Sequence, residues 1–381
     1  MDLFYNFNMI KRIIYNKIDE SFKNYRIIVL NGPRQAGKTT IVKEYISKSS
    51  FKSKYVTGDD VRVEEVFSSR NLDIIKDFVY GYDLVVIDEA QRIKNIGLSL
   101  KLAVDNIENI KFIITGSSSF ELIGEVGEPL VGRKKTLNLF PLSIDEIRTV
   151  HNNFEIKEKL EEFMIFGTYP KVFTAQSKNE KIDIINEITN SYLLRDVLKF
   201  EGIKKSSFIL KILRLLAFQI GNEVSLNEIA NNCNLDVKTV MKYLDLLEKS
   251  FIIYEIGAFA KNPRKEIIKK KKYYFYDNGV INSLISNFNS LELRNDSGRL
   301  WENFIFMERL KKHKYSQNYV NMYFWRTKTG SEIDLVEEKD GSINAYEFKF
   351  SEEKIKKISD WEENYKSDVK IINKFNFTDF V

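Results

Sequence analysis

Short apolar runs alternate with stretches of helical periodicity along the first 150 residues. Three of these runs are almost continuous in apolar, mostly β-branched residues: RIIVL (26–30), DLVVID (83–88) and KFIITG (111–116). Such strands are typical of a parallel sheet that is covered by helices on both faces. KTLNLF (135–140) predicts one more strand. The pattern therefore predicts an α/β domain over residues 1–150, which opens with a helical segment at 1–22.

Three further patterns follow along the chain. Residues 151–222 are mostly of helical periodicity and predict a helical connecting region. Residues 223–285 predict two helices and then a strand pair, an order that resembles a winged helix. Residues 286–381 predict a helix, three strands, a helix and a last strand. Within them, Asp340-Gly341 carries a hairpin-turn signal between the second and third strands.

A phosphate-binding loop is the strongest motif. Residues 32–39, GPRQAGKT, match the pattern GxxxxGK[ST] between a predicted strand and a predicted helix. Backbone N–H groups of such a loop cradle phosphates, and the helix N-terminus favours the negative charge. Lys38 is expected to contact the β- and γ-phosphates, and Thr39 to bind Mg²⁺. The ATP-binding residues predicted in this loop are Gly32, Gln35, Ala36, Gly37, Lys38, Thr39 and Thr40.

Two acidic residues stand at the end of the second apolar run. Asp88 is expected to hold Mg²⁺, and Glu89 to orient and polarise an attacking water, which is the Walker B arrangement. The alternative is an acidic pair that only caps a strand end. The agreement of two motifs in order and spacing favours a site that hydrolyses a nucleotide.

Polar residues after the third run add candidates to this site. Thr115 or Ser117 is expected beside the phosphates, because ligands bind at the carboxyl ends of strands in open α/β sheets. An ordinary polar loop is the alternative for either residue. Arg133 is a candidate arginine finger in cis or in trans, and a solvated surface arginine is its alternative. A role in trans would require a homo-oligomer.

These motifs resemble those of the AAA-type P-loop ATPases, particularly a large prokaryotic group with a C-terminal nuclease-like domain. The resemblance covers nearly the whole chain and rests on GPRQAGKTT, VVIDEAQ, IITGSSS, Gly132-Arg133, GTYP (167–170) and the tail. It implies an ATPase in the first domain, and it assigns the roles described above to Lys38, Thr39, Asp88 and Glu89. The transfer to Arg133 is looser.

The tail carries a second candidate site. Glu302 lies on the predicted helix and Asp334 on the second strand, whereas Glu347 and Lys349 share one face of the third strand. Carboxylates are ligands that Mg²⁺ prefers, and a bound metal can activate water against a phosphodiester. The set resembles PD-(D/E)XK nucleases, with Glu302, Asp334 and Glu347 as metal ligands and Lys349 as the catalytic lysine. Ile333 stands where the motif has proline. The alternatives are an outward-facing charged strand and a retained fold without activity.

Positive charge concentrates in one loop of the winged-helix segment. The predicted second helix, 237–249, carries no net surplus, whereas KNPRKEIIKKKK (261–272) holds seven basic residues and one acidic residue. Such a loop can neutralise DNA phosphates without reading sequence. The alternative is a solvated charge run on a segment that serves protein contacts.

Composition excludes several classes of site. The one cysteine, Cys233, excludes an intramolecular disulfide and a cysteine-based zinc site, and two distant histidines disfavour histidine-rich metal catalysis. The net charge of +5, from 59 basic and 54 acidic residues, is too small to identify a nucleic-acid binder. Neither a signal peptide nor a membrane-spanning run is expected, so the sequence predicts a cytoplasmic protein without a membrane partner.

The sequence as a whole predicts an ATP- and Mg²⁺-dependent hydrolase. It is expected to couple its nucleotide state to a C-terminal nuclease-like domain that acts on DNA. One alternative is an ATP-dependent switch whose C-terminal domain binds protein or DNA without cleaving it. Another is a metal-dependent nuclease in which bound ATP is only structural.

Overall fold

The computed structural model describes residues 10–116, 129–193, 206–260, 271–327, 330–351 and 358–381. The chain divides into two compact units. The N-terminal unit comprises Lys11–Phe140 together with Lys249–Phe251. The C-terminal unit comprises Pro141–Glu248 and Ile252–Val381.

A five-stranded parallel sheet forms the centre of the N-terminal unit, with the strand order β2-β3-β4-β1-β5. The strands are β1 (Ile27–Asn31), β2 (Ser53–Thr57), β3 (Leu84–Asp88), β4 (Lys111–Gly116) and β5 (Lys134–Asn138). The flanking helices are α1 (Ile14–Phe22), α2 (Lys38–Lys48), α3 (Val61–Ser68), α4 (Leu72–Val79) and α5 (Ile96–Asn106). The predicted α/β class, with a parallel sheet flanked by helices, is confirmed.

Burial explains why the central strands are continuous apolar runs. Every residue of β1 and β3 is buried. One apolar core cluster takes residues from β1, β3 and β4 and from α3, α4 and α5. The edge strand β2 is different, because its five residues are only partly buried or exposed. With a single neighbouring strand it needs fewer apolar residues, so the hydrophobic pattern did not predict it.

Short helices open the C-terminal unit. They are α6 (Ile144–Ile147), α7 (Asn153–Glu158), α8 (Leu160–Phe166), α9 (Pro170–Thr174), α10 (Lys178–Glu187), a π-helical segment (Ile188–Leu193) and α11 (Ser206–Phe218). This part agrees with the predicted helical periodicity. Within the described ranges, no helix is long and apolar enough to cross a membrane.

Two helices and a hairpin follow in the order that the sequence predicts. They are α12 (Leu226–Cys233), α13 (Val237–Lys249), and the antiparallel strands β6 (Ile253–Ile256) and β7 (Lys272–Phe275). The side chain of Ser225 caps α12 by accepting a hydrogen bond from Glu228 N. This is one half of the capping arrangement that the sequence indicates there.

A four-stranded sheet completes the unit, with the order β11-β10-β9-β8. Its elements, with the helices around it, are α14 (Asn278–Leu284), α15 (Ser297–Ser316), β8 (Asn321–Arg326), β9 (Glu332–Lys339), β10 (Ser342–Phe348), α16 (Ser359–Tyr365), β11 (Val369–Ile372) and α17 (Phe377–Phe380). The turn between β9 and β10 has positive φ at both Asp340 and Gly341. This is the geometry that the Asp-Gly signal predicts for a two-residue hairpin turn.

The hairpin and the four-stranded sheet share backbone hydrogen bonds and a core. Phe259 N donates to Phe324 O at 2.6 Å, and Phe324 N donates to Gly257 O at 3.1 Å. The Phe259 side chain lies in one apolar cluster with Trp361 of α16. These contacts cross the boundary predicted between residues 285 and 286, so the segments on its two sides pack as one body.

Candidate functional site

The loop between β1 and α2 has the backbone geometry of a phosphate-binding loop. It leaves β1 through Gly32, whose φ is +150°, and a Cβ there would overlap the Leu139 carbonyl oxygen. Only glycine fits such a close approach of two backbones. Gly37 ends the loop with φ +100°, and α2 begins at Lys38. The loop therefore delivers the N-terminus of α2 to the carboxyl edge of the sheet.

Lys38 folds back over this loop. Its Nζ donates to Gly32 O at 2.7 Å and to Pro33 O at 2.9 Å, and the residue is buried. The ammonium thus lies beside the loop backbone, where the sequence predicts phosphate contacts. Gln35, with φ +62°, and buried Ala36 complete the predicted loop. Thr40 lies on an exposed part of α2.

Arg12 holds the loop through backbone contacts, and no motif in the sequence predicts this role. Its Nη1 donates to Ala36 O at 2.6 Å, and its Nη2 donates to Phe140 O at 2.7 Å. The residue is buried. A guanidinium can bind two carbonyl oxygens in a fixed geometry. Arg12 therefore fixes the middle of the loop to the segment that follows β5.

Asp88 is the centre of a hydrogen-bond network. Thr39 Oγ1 and Tyr55 OH donate to its Oδ2 at 2.7 and 2.6 Å. The Thr115 hydroxyl and Glu89 N donate to its Oδ1. Burial alone would raise the pKa of Asp88, but the hydrogen bonds from Thr115, Tyr55 and Thr39 outweigh burial and lower the pKa below its usual value. The Asp88 carboxylate is therefore ionised at neutral pH.

Parallel strands bring these residues together. Thr57 pairs with Asp88, and Thr115 pairs with Leu30, which lies two residues before the loop. The carboxyl ends of β1, β2, β3 and β4 consequently meet at one edge of the sheet. Of the two polar candidates after the third apolar run, Thr115 is in the network, and Ser117 lies outside the described residues.

Tyr55 is a member of the site that the sequence reasoning missed. It lies on the edge strand β2, and its hydroxyl reaches the same carboxylate oxygen as Thr39. Burial, and then the hydrogen bond to Asp88, raise the pKa of Tyr55. It therefore stays a neutral hydroxyl donor. Tyr55 and Thr39 are thus two donors to one oxygen of Asp88.

Glu89 directly follows Asp88 and has a left-handed backbone, with φ +53° and ψ +39°. Its N–H also donates to Thr115 Oγ1 at 3.2 Å. Gln91 Nε2 donates to Glu89 Oε2 at 2.6 Å, a contact that the sequence reasoning did not assign. Non-glycine residues in this backbone region cost roughly 1–3 kcal/mol and cluster at functional sites. Gln91, which is two residues further along the chain, thus holds the side chain of Glu89 in place.

Arg133 lies at the amino end of the parallel sheet, whereas the phosphate-binding loop lies at its carboxyl end. This position corrects one of the two predicted roles of Arg133. It precedes β5, whose first residue, Lys134, pairs with Ile27 at the start of β1. Its Nε and Nη2 donate to the two carboxylate oxygens of Asp105 at 2.7 and 2.9 Å. Because the phosphate-binding loop follows the other end of β1, Arg133 cannot act in cis at this site. Only a role in trans stays a prediction.

The predicted residues of the C-terminal site lie near one another on β9, β10 and α15. Asp334 Oδ2 accepts a hydrogen bond from Phe348 N at 2.7 Å, and Lys349 Nζ lies 2.9 Å from Glu347 Oε2. Glu347 Oε1 is buried without a hydrogen-bond partner. Burial, and then the charge of Glu302, raise the pKa of Asp334 well above its usual value. Asp334 and Glu347 thus face repulsion between like charges.

Lys272 of β7 also belongs to this cluster, although the sequence places it at the end of the predicted basic loop. Its Nζ lies 3.3 Å from Glu302 Oε1 and pairs with Glu332, and its side chain is fully buried. Among the described residues, no three His, Cys, Asp or Glu side chains are grouped to hold a metal ion. The ammonium of Lys272 thus pairs with Glu302, one of the three carboxylates predicted to bind Mg²⁺, and the magnesium site stays a prediction.

The predicted basic loop 261–272 lies mostly outside the described residues. Only Lys271 and Lys272 of its seven basic residues are described. Lys271 pairs with Glu255, and Lys272 is buried. These two lysines are therefore bound within the protein, and the prediction of DNA contact rests on residues 261–270.

Comparison with known proteins adds a family match for part of the chain. Residues 24–148 match a family model described as an AAA domain. Residues 157–291 and 297–376 match two models that are each described as a domain of unknown function, DUF8612 and DUF4143.

Similar proteins occur in bacteria and archaea. An uncharacterised protein of Mycobacterium tuberculosis is 26% identical over 326 residues, which cover 85% of this chain and 70% of the relative. An uncharacterised protein of Methanocaldococcus jannaschii is 26% identical over 346 residues, covering 85% of this chain and 75% of the relative. The Walker-type ATPase PABY2304 of Pyrococcus abyssi is a similar solved structure, with 17% identity and a TM-score of 0.47 over 74% of this chain and 97% of that chain.

The family match and the geometry of the N-terminal unit agree with each other. The AAA domain match spans all five strands of the parallel sheet, and it includes the loop that joins β1 to α2. The N-terminal unit has the fold of a P-loop ATPase.

Proposed function

We propose that the chain binds ATP together with Mg²⁺ and hydrolyses it at the carboxyl edge of the N-terminal sheet. One observation supports this most directly. The ionised Asp88 carboxylate accepts a hydrogen bond from the hydroxyl of Thr39, the residue next to Lys38 in the phosphate-binding loop. This arrangement joins the two halves of a nucleotide site, which are 49 residues apart in sequence.

The donor atoms present fit a magnesium–nucleotide complex. The Thr39 hydroxyl and the Asp88 carboxylate are oxygen ligands of the kind that Mg²⁺ prefers, and they lie within 2.7 Å of each other. Lys38 supplies a positive charge at the loop, and the N-terminus of α2 adds favourable backbone N–H groups. When bound, the metal neutralises charge on the β- and γ-phosphate oxygens.

Glu89 is the residue that we assign to water activation. It follows the metal-binding Asp88 directly, and Gln91 holds its carboxylate. A positioned carboxylate can accept a proton from the attacking water and orient that water for in-line attack. A protein that only stores a nucleotide would not need this group.

The test of the proposal is ATP binding and hydrolysis by the purified chain. Lys38→Ala is expected to abolish measurable ATP binding and phosphate release, because it removes the charge that contacts the phosphates. Lys48→Ala is the matched control, since Lys48 ends the same helix and forms an ion pair with Glu44 at the surface, away from the phosphate-binding loop. Equal hydrolysis by wild type and Lys38→Ala would refute the assignment.

The activity of the C-terminal unit is the second part of the proposal. The sequence favours a nuclease-like domain that acts on DNA and is coupled to the nucleotide state. The alternative is an ATP-dependent switch whose C-terminal unit binds DNA or protein without cleaving it. The ion pairs of buried Lys272 with Glu302 and Glu332 support the alternative.

A DNA-cleavage assay separates these two alternatives. The switch predicts no cleavage of single- or double-stranded DNA with Mg²⁺ or Mn²⁺, with or without ATP. Cleavage by wild type that is lost in Lys349→Ala would instead support the nuclease, since Lys349 contacts Glu347 directly. Its dependence on ATP would then show whether the two units are coupled.

A further inference from the structure

We infer that the ammonium of Lys272 is the built-in cation of the C-terminal carboxylate cluster, so that this cluster works without a divalent metal ion. The cluster consists of Glu302 on α15, Glu332 and Asp334 on β9, and Glu347 on β10. This inference concerns only the C-terminal unit, and it holds whether or not the N-terminal unit hydrolyses ATP.

The position of Lys272 carries the argument. Its Nζ lies 3.3 Å from Glu302 Oε1 and forms an ion pair with Glu332, and none of its side chain is exposed. A lysine is almost never fully buried unless it is paired. Two carboxylates on different elements, a helix and a strand, therefore converge on one ammonium.

The backbone of β7 holds Lys272 in this position. Lys272 pairs with Ile256 across the hairpin, and the preceding residue forms an isolated bridge with Val224. The ring of Phe324, on β8 of the four-stranded sheet, lies 5.2 Å from the ammonium. Backbone pairing thus fixes the position of Lys272 in the strand, and the lysine side chain lies against an aromatic ring instead of in solvent.

Two oxygen atoms of the cluster already accept hydrogen bonds from the protein, whereas Glu347 Oε1 has no partner. Glu302 Oε1 accepts a hydrogen bond from Tyr274 OH at 2.7 Å in addition to its ion pair with Lys272. Asp334 Oδ2 accepts from Phe348 N. Mg²⁺ needs about six oxygen ligands in octahedral geometry. A metal that took Glu302 and Glu332 as ligands would have to displace the buried ammonium, which would leave a positive charge without a partner.

One function follows for this part of the chain. The cluster joins the hairpin to the four-stranded sheet, because Lys272 comes from the hairpin and its carboxylate partners come from α15 and β9. A site that holds its own cation lacks the metal-bound water that metal-dependent hydrolysis requires. The C-terminal unit is accordingly expected to carry out no metal-dependent cleavage at this cluster.

The test titrates the full chain, free of nucleotide, with Mn²⁺ and counts bound ions by electron paramagnetic resonance. Wild type and Asp334→Asn are expected to bind the same amount of Mn²⁺. Lys272→Met is expected to gain one bound Mn²⁺ per chain, and Lys272→Met with Asp334→Asn is expected to lose it. Lys271→Met is the matched control, because the neighbouring lysine pairs with Glu255 outside this cluster.

Thermal unfolding gives a second readout. Removing one partner of a buried ion pair should lower the midpoint of Lys272→Met by about 10 °C. Saturating Mn²⁺ should restore part of that loss, and it should not shift wild type. A folded Lys272→Met that keeps its midpoint and gains no Mn²⁺ would contradict the inference. Mn²⁺ bound by wild type and lost in Asp334→Asn would overturn it, even if Lys272→Met does not fold.

Discussion

Glu89→Gln is expected to lower the rate of ATP hydrolysis by about 100-fold or more and to leave ATP affinity nearly unchanged. General acid–base catalysis by a positioned side chain contributes typically about 10²–10⁴-fold. Glutamine has the size of glutamate and can still contact Gln91, which donates to Glu89 Oε2 at 2.6 Å. It cannot accept a proton from water. The substitution should therefore remove turnover without disturbing the loop that binds the phosphates.

The measurement pairs steady-state phosphate release with equilibrium binding of ATP in the presence of Mg²⁺. Glu108→Gln serves as the control, because this exposed glutamate lies just before the amino end of β4, at the far edge of the sheet. Lys38→Ala should lose both binding and turnover, whereas Glu89→Gln should lose turnover alone. Equal rates for wild type and Glu89→Gln would show that another group activates the water.

The phosphate-binding loop was predictable because its chemistry is local. Gly32, Lys38 and Thr39 lie within eight residues, and their spacing alone constrains the loop. Asp88 and Glu89 were predictable because a buried strand of five residues ends at Asp88. In both cases, the residues adjacent in sequence to the functional residue form the pattern that predicts it.

Arg12 and Tyr55 were not predictable because their partners are remote. Arg12 contacts Phe140, which is 128 residues away, and Tyr55 contacts Asp88, which is 33 residues away. Tyr55 also lies on an edge strand with few apolar residues, so the pattern did not predict the strand itself. Such contacts follow from the strand order of the sheet, which hydrophobic periodicity does not specify.

Lys272 shows how a charge run can mislead. In sequence it ends a loop with a surplus of basic residues, and such a run predicts a solvated surface. In the fold it is the first residue of a buried strand and pairs with carboxylates at residues 302 and 332. The register of the hairpin decides this, since a shift by one residue would turn the side chain to the other face.

Gly167→Ala is expected to destabilise the C-terminal unit by about 4 kcal/mol or more, which is in the exceptional range for one substitution. Gly167 ends α8 with φ +80°, and a Cβ there would overlap Asp277 Oδ1 and lie 2.5 Å from its Cγ. Asp277 is buried and cannot move freely, because it accepts hydrogen bonds from Thr168 N at 2.7 Å and Gly279 N at 2.9 Å. The methyl group would break this contact or displace α8.

The Asp277 carboxylate makes the cost larger than steric strain alone. Burial raises the pKa of Asp277 to about 6, even though the hydrogen bond from Thr168 lowers it. Burial of a charged group without its hydrogen bonds is costly, so displacement of Asp277 from Thr168 N should add to the penalty at neutral pH. Part of that addition should disappear below pH 6, where the folded state binds a proton at Asp277.

Gly341→Ala is the matched control, since Gly341 has nearly the same φ, +78°, and a Cβ there would meet nothing within 4 Å. It isolates the cost of the left-handed backbone, about 1–2 kcal/mol. Urea unfolding of both variants, followed at pH 7 and pH 5.5, measures the difference. Equal losses of stability would show that the contact with Asp277 adds nothing. A much larger loss of stability for Gly167→Ala, which becomes smaller at pH 5.5, would show that GTYP (167–170) is a packing motif. In that motif, the glycine leaves space for the buried Asp277 carboxylate, which accepts a hydrogen bond from Thr168 N.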